Sequence, residues 1–356
     1  FDFSPSRWPR SRREALAAAL PLACVEVDGE SVIPTRRASP KQEWSARTFR
    51  MKVAGAVGTY AAAAPLPVPR TRIAAANGLQ ADLSRLVGAD DAYLSAYGPA
   101  PAAYPRSGPA AAAAALGSFV GARLKYYDEA RNDPNRDGCS GLSPYLHFGQ
   151  LSPVAAARAA LAAGGDAAGG DAAGGDTAGG AGAAAFIEQL VVRRELCRNF
   201  VWYRPDDYDR WEGLPDWSRR SLMAHAADRR AYAYERKAFE AAATHDRYWN
   251  AAQRQLMLSG VMHNYMRMYW GKMILAWSRD PREAFMTALS LNDRYALDGR
   301  DPDGWAGAAW CFGLHDRPWP ERPVFGTVRA MAASGLKRKF DPEAYARRWL
   351  ADEFAF

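Results

Sequence analysis

The chain has 356 residues, more than one hydrophobic core usually supports, so we expect two structural units. Its 46 Lys and Arg residues exceed its 39 Asp and Glu residues, and the net charge of +7 favours either a polyanionic partner or a basic surface without a partner. Four widely spaced cysteines with no CxxC pair indicate no disulfide framework and no metal site. No run of about 20 apolar residues is present, so we expect no membrane span.

The first 55 residues have the pattern of the end of an α/β unit. Residues 13–20 have a short helical pattern, the run CVEVDGESVIP alternates as a β-strand does, and a charged helix begins near SPKQEWSARTFR. The chain opens on FDFSPSRWPR without Met and without a signal-like segment, so we expect it to be a fragment of a longer protein.

Two regions of low complexity interrupt the rest of the chain. Residues 56–110 are rich in Ala, Pro and Gly and are predicted to be a linker with one helix, at 79–87. The AAGGD repeats within 162–185 predict a disordered surface insertion, which costs little because closure entropy grows only logarithmically with loop length. Apart from that insertion, residues 111–356 are predicted to form a helical domain with short Gly, Pro and Asp turns.

The segment CSGLSPYLHFGQLSP, residues 139–153, is the first candidate site. Ser140, Gly141 and Ser143 come just before Pro144, so hydroxyl groups and free backbone N–H groups meet at a turn that enters a helix. This geometry suits a phosphate group, but an ordinary capped helix start has the same pattern. The turn alone does not decide between the two.

The second candidate site is the segment FIEQLVVRRELCRNFVWY, residues 186–203. Apolar residues recur there at helical spacing, with Gln189, Arg193 and Arg194 between them. Arginines on such a helix are either solvated or ready to bind a buried anion or a flavin. Local pattern leaves both readings open.

Six of the twelve tryptophans fall between positions 249 and 319. If residues 261–277 form one helix, Trp270 and Trp277 lie on the same face, roughly 10.5 Å apart along the axis, a plausible distance for electron hopping. Ordinary core packing is the alternative. Arg267 lies one turn before Trp270, and its pairing with Asp298 would form either a buried functional ion pair or a surface ion pair.

Taken together, these segments resemble the class II cyclobutane pyrimidine dimer DNA photolyases of the photolyase/cryptochrome superfamily. The resemblance covers most of the chain outside the linker and the AAGGD tract. It rests on VDGESVIP, KQEWSARTFR, ARLKYYDEARNDP, GLSPYLHFGQLSP, FIEQLVVRREL, AHAADRR, THDRYWNAAQ, RMYWGK, LNDRYALDGRDPDGWAG, ERPVFGTVR and GLKRKFD.

The resemblance implies a mainly α fold: an all-helical FAD-binding domain at 111–356, preceded by the C-terminal remnant (1–55) of an α/β, Rossmann-like antenna domain. In that family reduced FAD absorbs light, donates an electron to a pyrimidine dimer flipped out of UV-damaged DNA, and recovers the electron after the cyclobutane ring splits. The family's antenna is a deazaflavin or a folate. Most of the antenna sheet is missing here, which does not favour antenna binding by this chain.

The resemblance also assigns residues by position. FAD would be contacted by Tyr127, Cys139, Ser140, Gly141, Leu142, Ser143, Phe186, Gln189, Arg193, Asn264, Arg267, Asn292, Asp298, Gly299, Arg300 and Asp301. The residues assigned to catalysis are Asn292 near the flavin N5, Gln189, and the photoreduction chain Trp270, Trp249 and Trp277, in that order outward. The dimer and the DNA would be contacted by Glu188, Trp310, Arg329, Lys337, Arg338 and Lys339, of which the basic residues position the duplex through its phosphates.

Two positions depart from the family pattern. Gln189 stands where the family usually carries a second Glu, which keeps hydrogen bonding to pyrimidine carbonyls but removes a protonatable group. Asn264 replaces the usual class II Gly.

Three readings of function follow. The class II motifs and the absence of a long tail after Phe356 favour a light-driven lyase that acts as a monomer. The alternatives are a cryptochrome-like photoreceptor without repair activity and an inactive copy. The Ala and Gly insertions suggest a GC-rich genome, so we expect the nucleus or the chloroplast if the source is an alga, and the cytoplasm otherwise.

Overall fold

The computed structural model describes residues 1–62, 106–165 and 178–351. These residues are mainly helical, and no β-strand forms among them, so the prediction of a mainly α fold is confirmed. The helix predicted at 79–87 and residues 166–177 of the AAGGD tract lie outside the described residues.

The α-helices are numbered in chain order. The first 62 residues contain α1 (Arg7–Ala19), α2 (Thr35–Ala38), α3 (Ala46–Val53) and α4 (Val57–Ala61). Next come α5 (Pro109–Ser118), α6 (Tyr127–Ala130), α7 (Ser143–His147), α8 (Pro153–Ala163) and α9 (Ala178–Ile187). The rest of the chain contains α10 (Arg194–Tyr203), α11 (Asp216–Ala224), α12 (Arg236–Glu240), α13 (Arg247–Ser259), α14 (Asn264–Trp277), α15 (Pro281–Tyr295), α16 (Pro302–Cys311), α17 (Ala333–Lys337) and α18 (Pro342–Leu350). Two π-helical segments, Phe119–Arg123 and Glu188–Arg193, continue α5 and α9.

Aspartates fix where several of these helices begin. Asp246 accepts hydrogen bonds from the backbone N–H groups of Tyr248 and Trp249 at the start of α13, and Asp301 does the same for Asp303 at the start of α16. Such side chains satisfy N–H groups that have no partner inside the helix. The helix predicted over 261–277 begins three residues later than expected, because the side chain of His263 accepts from Tyr265 N and caps α14 there.

The strand predicted in CVEVDGESVIP does not form among the described residues. Val27 makes one isolated parallel bridge to Asp2, with Phe3 N donating to Val27 O at 2.8 Å. A strand is stable only when neighbouring strands complete its hydrogen-bond ladder, and the described chain supplies a single short partner. The alternating side chains therefore lie in extended coil.

Two hydrophobic clusters fill the interior. One surrounds α13 to α16 and contains the fully buried Trp249 and Phe285. The other joins α3 and α4 to α5, α8 and α9, and its centre includes Phe49 and Phe119, both fully buried. Helix α10 lies between the clusters, since it packs on α16 on one side and contacts α2 on the other. Helices α2, α3 and α4 of the N-terminal segment are thus part of the hydrophobic core.

Candidate functional site

Three tryptophans from α13 and α14 form a continuous stack in the first cluster. The rings of Trp270 and Trp249 are nearly parallel, with centroids 6.3 Å apart, and Trp277 meets Trp249 edge to face, also at 6.3 Å. All three are buried. Trp249 lies between the other two, so the rings follow the order that the sequence resemblance implied. Gln253, which the sequence did not single out, accepts the Trp270 Nε1–H at 2.9 Å.

Aromatic contacts continue from Trp277 toward the surface. His245 lies 4.7 Å from the Trp277 ring, and the exposed Tyr232 stacks on His245 at 3.5 Å. Tyr234 packs on Trp277 at 6.1 Å and shares a 2.9 Å hydrogen bond with His245 Nδ1. Sequence reasoning missed these three residues, although two alternating tyrosines before THDRYW were a visible signal.

The predicted neighbours of the flavin ring meet between α14 and α15. Arg267 Nη1 donates to Asn292 Oδ1 at 2.8 Å, and Asn292 Nδ2 donates to Asp293 Oδ1 at 3.2 Å. No contact within 4.0 Å pairs Arg267 with Asp298 in the described structure, so the ion pair expected from the sequence is replaced by the Arg267 to Asn292 hydrogen bond. The buried Asn292 amide is thereby fixed in orientation and keeps one N–H free.

Gly304 on α16 makes room for the Asn292 amide. A Cβ atom built at Gly304 would lie 2.7 Å from Asn292 Nδ2, closer than real Cβ contacts come. Asp293 in turn accepts from Arg300 N and from Trp305 Nε1, at 3.0 and 3.1 Å. Burial raises the pKa of Asp293, while these donors lower it. The turn around Gly299 is thus tied to the residue beside Asn292.

The predicted phosphate turn lies at the start of α7. Gly141 has a φ of +70°, and a Cβ built there would meet nothing within 4 Å, so one side of the turn is open. Leu142 N donates to Ser140 Oγ at 3.4 Å, and Ser143 opens the helix. Cys139 is partly buried, and burial raises its thiol pKa. The open side allows a ligand to approach the backbone closely.

Tyr127 and Phe186 lie together beneath this region. Their rings are 5.7 Å apart, and both contact Phe119 in edge or tilted geometry. Both residues are buried, and burial raises the pKa of Tyr127 to about 12. Asn264, by contrast, is exposed at the start of α14.

A buried ionic network joins α7, α10 and the start of α16. His147 Nδ1 lies 2.9 Å from Asp301 Oδ2, and the fully buried Arg198 lies 3.6 Å from Asp301 and 3.3 Å from Asp303. Burial alone would raise the pKa of Asp301, but Arg198 and the His147 hydrogen bond outweigh it and hold that pKa below its usual value. Of these residues, only Asp301 was predicted.

The side chains expected to face the dimer lie on the π-helical segment that follows α9. Glu188 is held by two arginines, Arg50 at 2.6 Å and Arg193 at 3.2 Å. The side chain of Gln189 is partly exposed and makes no hydrogen bond to any described residue, although its backbone carbonyl accepts from Arg194 N. The inserted residue of a π-helix re-aims the side chains around it, and such segments recur at functional sites. Gln189 is therefore free to bind a ligand, whereas Glu188 is not.

A basic, aromatic surface lies beyond α16. Trp310 is partly exposed, and Lys337, Arg338 and Lys339 are exposed. The guanidinium of Arg329 lies 4.8 Å from the ring centre of Trp319, and that of Arg317 lies 5.5 Å from it. Arg317 and Trp319 were not predicted, although the sequence HDRPW places an arginine two residues from a tryptophan.

The described ranges lack two further kinds of feature. No helix there is both long and apolar enough to cross a bilayer. The same residues hold no group of three or more His, Cys, Asp or Glu side chains arranged to bind a metal ion.

The fold defines the class of protein. The chain superposes on a class III photolyase from Agrobacterium tumefaciens with a TM-score of 0.64 and 19% identity, covering 98% of this chain and 67% of that one. A Synechocystis cryptochrome gives a TM-score of 0.67 at 15% identity, covering 98% and 68%. This is the fold shared by photolyases and cryptochromes.

Sequence comparison then gives the family. The deoxyribodipyrimidine photo-lyase of Methanothermobacter thermautotrophicus is 42% identical over 335 residues, which cover 93% of this chain and 69% of that protein. The enzymes of that name from Oryza sativa and Potorous tridactylus are 42% and 37% identical, covering 97% and 98% of this chain and 67% and 63% of their own lengths. The chain belongs to the deoxyribodipyrimidine photo-lyase family. No family model matches it.

Proposed function

We propose that this protein is a class II photolyase that uses light to split cyclobutane pyrimidine dimers in DNA, with reduced FAD as electron donor. The observation that carries the proposal is the tryptophan stack, Trp270 to Trp249 to Trp277, beginning one helical turn after Arg267 in a chain of this family. We also propose that the protein acts as a monomer and that residues 1–55 belong to an antenna domain.

Two observations fit a flavin at this place. The Asn292 amide is fixed at both ends and keeps an N–H free, which suits a heteroaromatic ring nitrogen. The turn at Gly141 is open on one side and offers hydroxyls and backbone N–H groups, which suit a pyrophosphate. When bound, FAD would supply the light absorption and the electron for ring splitting.

The chain's own residues would orient the cofactor and return it to its reduced form. Asn292 and Arg267 would hold the ring, because their mutual hydrogen bond leaves both side chains little freedom to turn. Trp270, Trp249 and Trp277 would carry an electron inward from the surface. The stack excludes water, since Trp249 is fully buried and its Nε1–H is used by the carbonyl of Trp270.

The opposite side of the site would hold the DNA. Gln189 offers a free amide to pyrimidine carbonyls, and Trp310 offers a partly exposed indole for stacking on an extruded base. Arg329 and the basic run Lys337 to Lys339 would contact phosphates and so position the duplex without reading its sequence.

A flavin photoreceptor without repair activity is the second candidate, because the fold matches the Synechocystis cryptochrome as well as it matches a photolyase. A photoreceptor would need the flavin and the tryptophan stack but not the free amide of Gln189 or the basic surface near Arg329.

The deciding experiment is a repair assay on thymine-dimer DNA with purified protein, reduced without oxygen and illuminated in the near ultraviolet. The flavin content is read from the absorption spectrum of the same sample. Light-dependent loss of dimers supports the lyase. Bound flavin that photoreduces without dimer loss supports the photoreceptor and refutes repair.

A further inference from the structure

Lys272 on α14 is fully buried, and no ion pair within the described residues holds it. Its Nζ donates to the backbone carbonyl of Cys311 at 2.5 Å, and no carboxylate of the described chain lies within 4.0 Å of it. A buried ammonium without a counter-charge is costly, so such a residue is seldom kept for packing alone. We therefore expect Lys272 to have a function beyond packing.

The C-terminal end of α16 stabilises the positive charge of Lys272. Cys311 is the last residue of α16, so its carbonyl belongs to the negative end of the helix dipole and lacks a partner within the helix. Gly271 lets the two helices approach closely, since a Cβ built there would lie 2.6 Å from Cys311 Sγ. Lys272 thereby reaches the carbonyl and holds the end of α16.

The same ammonium lies under the side chain expected to face the dimer. Lys272 Nζ is 5.3 Å from the centre of the Trp310 ring, within cation–π distance. A base in van der Waals contact with the opposite face of that ring would lie about 9 Å from Nζ. The Trp310 ring would then lie between the buried charge and the base.

We propose that Lys272 is a positioning residue that places a positive charge behind Trp310 and stabilises the negative charge that the dimer carries while it holds the electron. The proposal rests on the proposed function. The dimer gains one electron, its two cyclobutane bonds break, and the electron returns to the donor, so no net oxidation occurs and Lys272 keeps its proton throughout. A unit charge at this distance changes the balance between forward transfer and premature return by roughly tenfold.

Burial lowers the pKa of Lys272 to about 8. The carboxylate of Asp316 raises it and the guanidinium of Arg329 lowers it, while the Cys311 thiol stays neutral near that pH because burial raises its own pKa. The proposed role requires the charged form of Lys272. Repair yield should therefore fall as the pH rises through about 8.

The test compares the flavin-loaded wild type with Lys272→Met and Lys272→Gln. Gln keeps a donor for the Cys311 carbonyl but carries no charge, and Lys52→Met, at an exposed lysine, is the control. Repair per absorbed photon is measured at saturating dimer DNA between pH 6.5 and 9.5, and the Kd for that DNA is measured separately. We expect both Lys272 variants to lose repair yield, up to about tenfold below pH 7, with an unchanged Kd and no dependence on pH near 8.

Three outcomes separate the possibilities. A Lys272→Gln variant that repairs as the wild type does at every pH shows that Lys272 only caps α16, and it overturns the proposal. If neither variant folds with flavin, the wild-type profile decides: a fall near pH 8 supports the proposal and a flat profile overturns it. If the wild type binds flavin but splits no dimers, the proposed function fails, and this inference fails with it.

Discussion

Trp249 donates its indole Nε1–H to the backbone carbonyl of Trp270 at 2.9 Å, while the two rings lie within 7° of parallel. One hydrogen bond thus fixes the register of α13 against α14 and the near-parallel orientation of the two rings. Neighbouring buried rings favour electron transfer over a short distance, and the edge contact to Trp277 extends the path.

Replacing Trp270 with Phe tests this path. We expect photoreduction of oxidised flavin to slow strongly, while repair by enzyme reduced beforehand stays near the wild-type level. The variant leaves Gln253 Oε1 without its donor, which costs about 1–3 kcal/mol of stability but keeps the fold. Flavin absorption during illumination and a dimer assay supply the two rates. Trp202→Phe, outside the stack, is the matched control, and an equal loss of both activities would show that Trp270 is structural.

Changing Gln189 to Glu tests the departure from the family pattern. Glu188 is committed to Arg50 and Arg193, so it cannot readily supply the carboxyl group that Gln189 lacks. We expect Gln189→Glu to raise the repair yield and Gln189→Leu to lower it, because Leu leaves a bound pyrimidine without a hydrogen-bond partner. Dimer loss per absorbed photon measures both. An unchanged yield in Gln189→Glu would mean that Glu188 or a water molecule already fills the role.

A methyl group added at Gly304 should disturb the cofactor side. In Gly304→Ala the new Cβ would collide with the Asn292 amide and break its hydrogen bond to Arg267, at an overpacking cost of about 1–3 kcal/mol. We expect a lower flavin content and an altered flavin absorption spectrum. Gly307→Ala on the same helix is the control, since its Cβ meets nothing within 4 Å, and it should gain up to about 1 kcal/mol from helix propensity. Equal flavin content in both variants would contradict the proposed position of Asn292.

Removal of the buried Arg198 should destabilise the protein most. Arg198→Met removes the arginine that pairs with the buried Asp301 and one of the two arginines beside Asp303, and the expected loss is about 3–5 kcal/mol in free energy of unfolding. Denaturant unfolding measures it. Arg347→Met breaks an exposed pair with Asp341 and should cost no more than about 1 kcal/mol. A similar small loss in both variants would show that water reaches the Arg198 network.

The local sequence pattern predicted the positions of the helices better than it predicted which residues contact each other. The spacing of Trp270 and Trp277 follows from one helix, so the sequence was enough to place them on one face. Trp249 comes from another helix, and its place between them depends on how α13 packs on α14. The alternating run CVEVDGESVIP predicted a strand, but a strand depends on partners that local alternation does not supply.

The candidate site also had residue types that the sequence could predict and contacts that it could not. Residue types suited to a flavin and to DNA were recognisable by their motifs, but their pairing was not. Arg267 meets Asn292 instead of Asp298, and the Asn292 amide lies where a side chain at Gly304 would collide with it. The Arg198 network and the buried Lys272 depend on contacts between segments far apart in sequence, where neither periodicity nor spacing gives a signal.

Several contacts fasten the N-terminal segment to α10 and to the π-helical segment before it, and three of them illustrate the attachment. Arg50 pairs with Glu188, Val32 N donates to Glu195 Oε1, and Glu43 N donates to the Asn199 side chain. For protein engineering, these attachments mean that the N-terminal segment cannot be replaced independently of the helices that it contacts. A segment put in its place would have to reproduce these attachments, or the π-helical segment that presents Gln189 would lose its alignment.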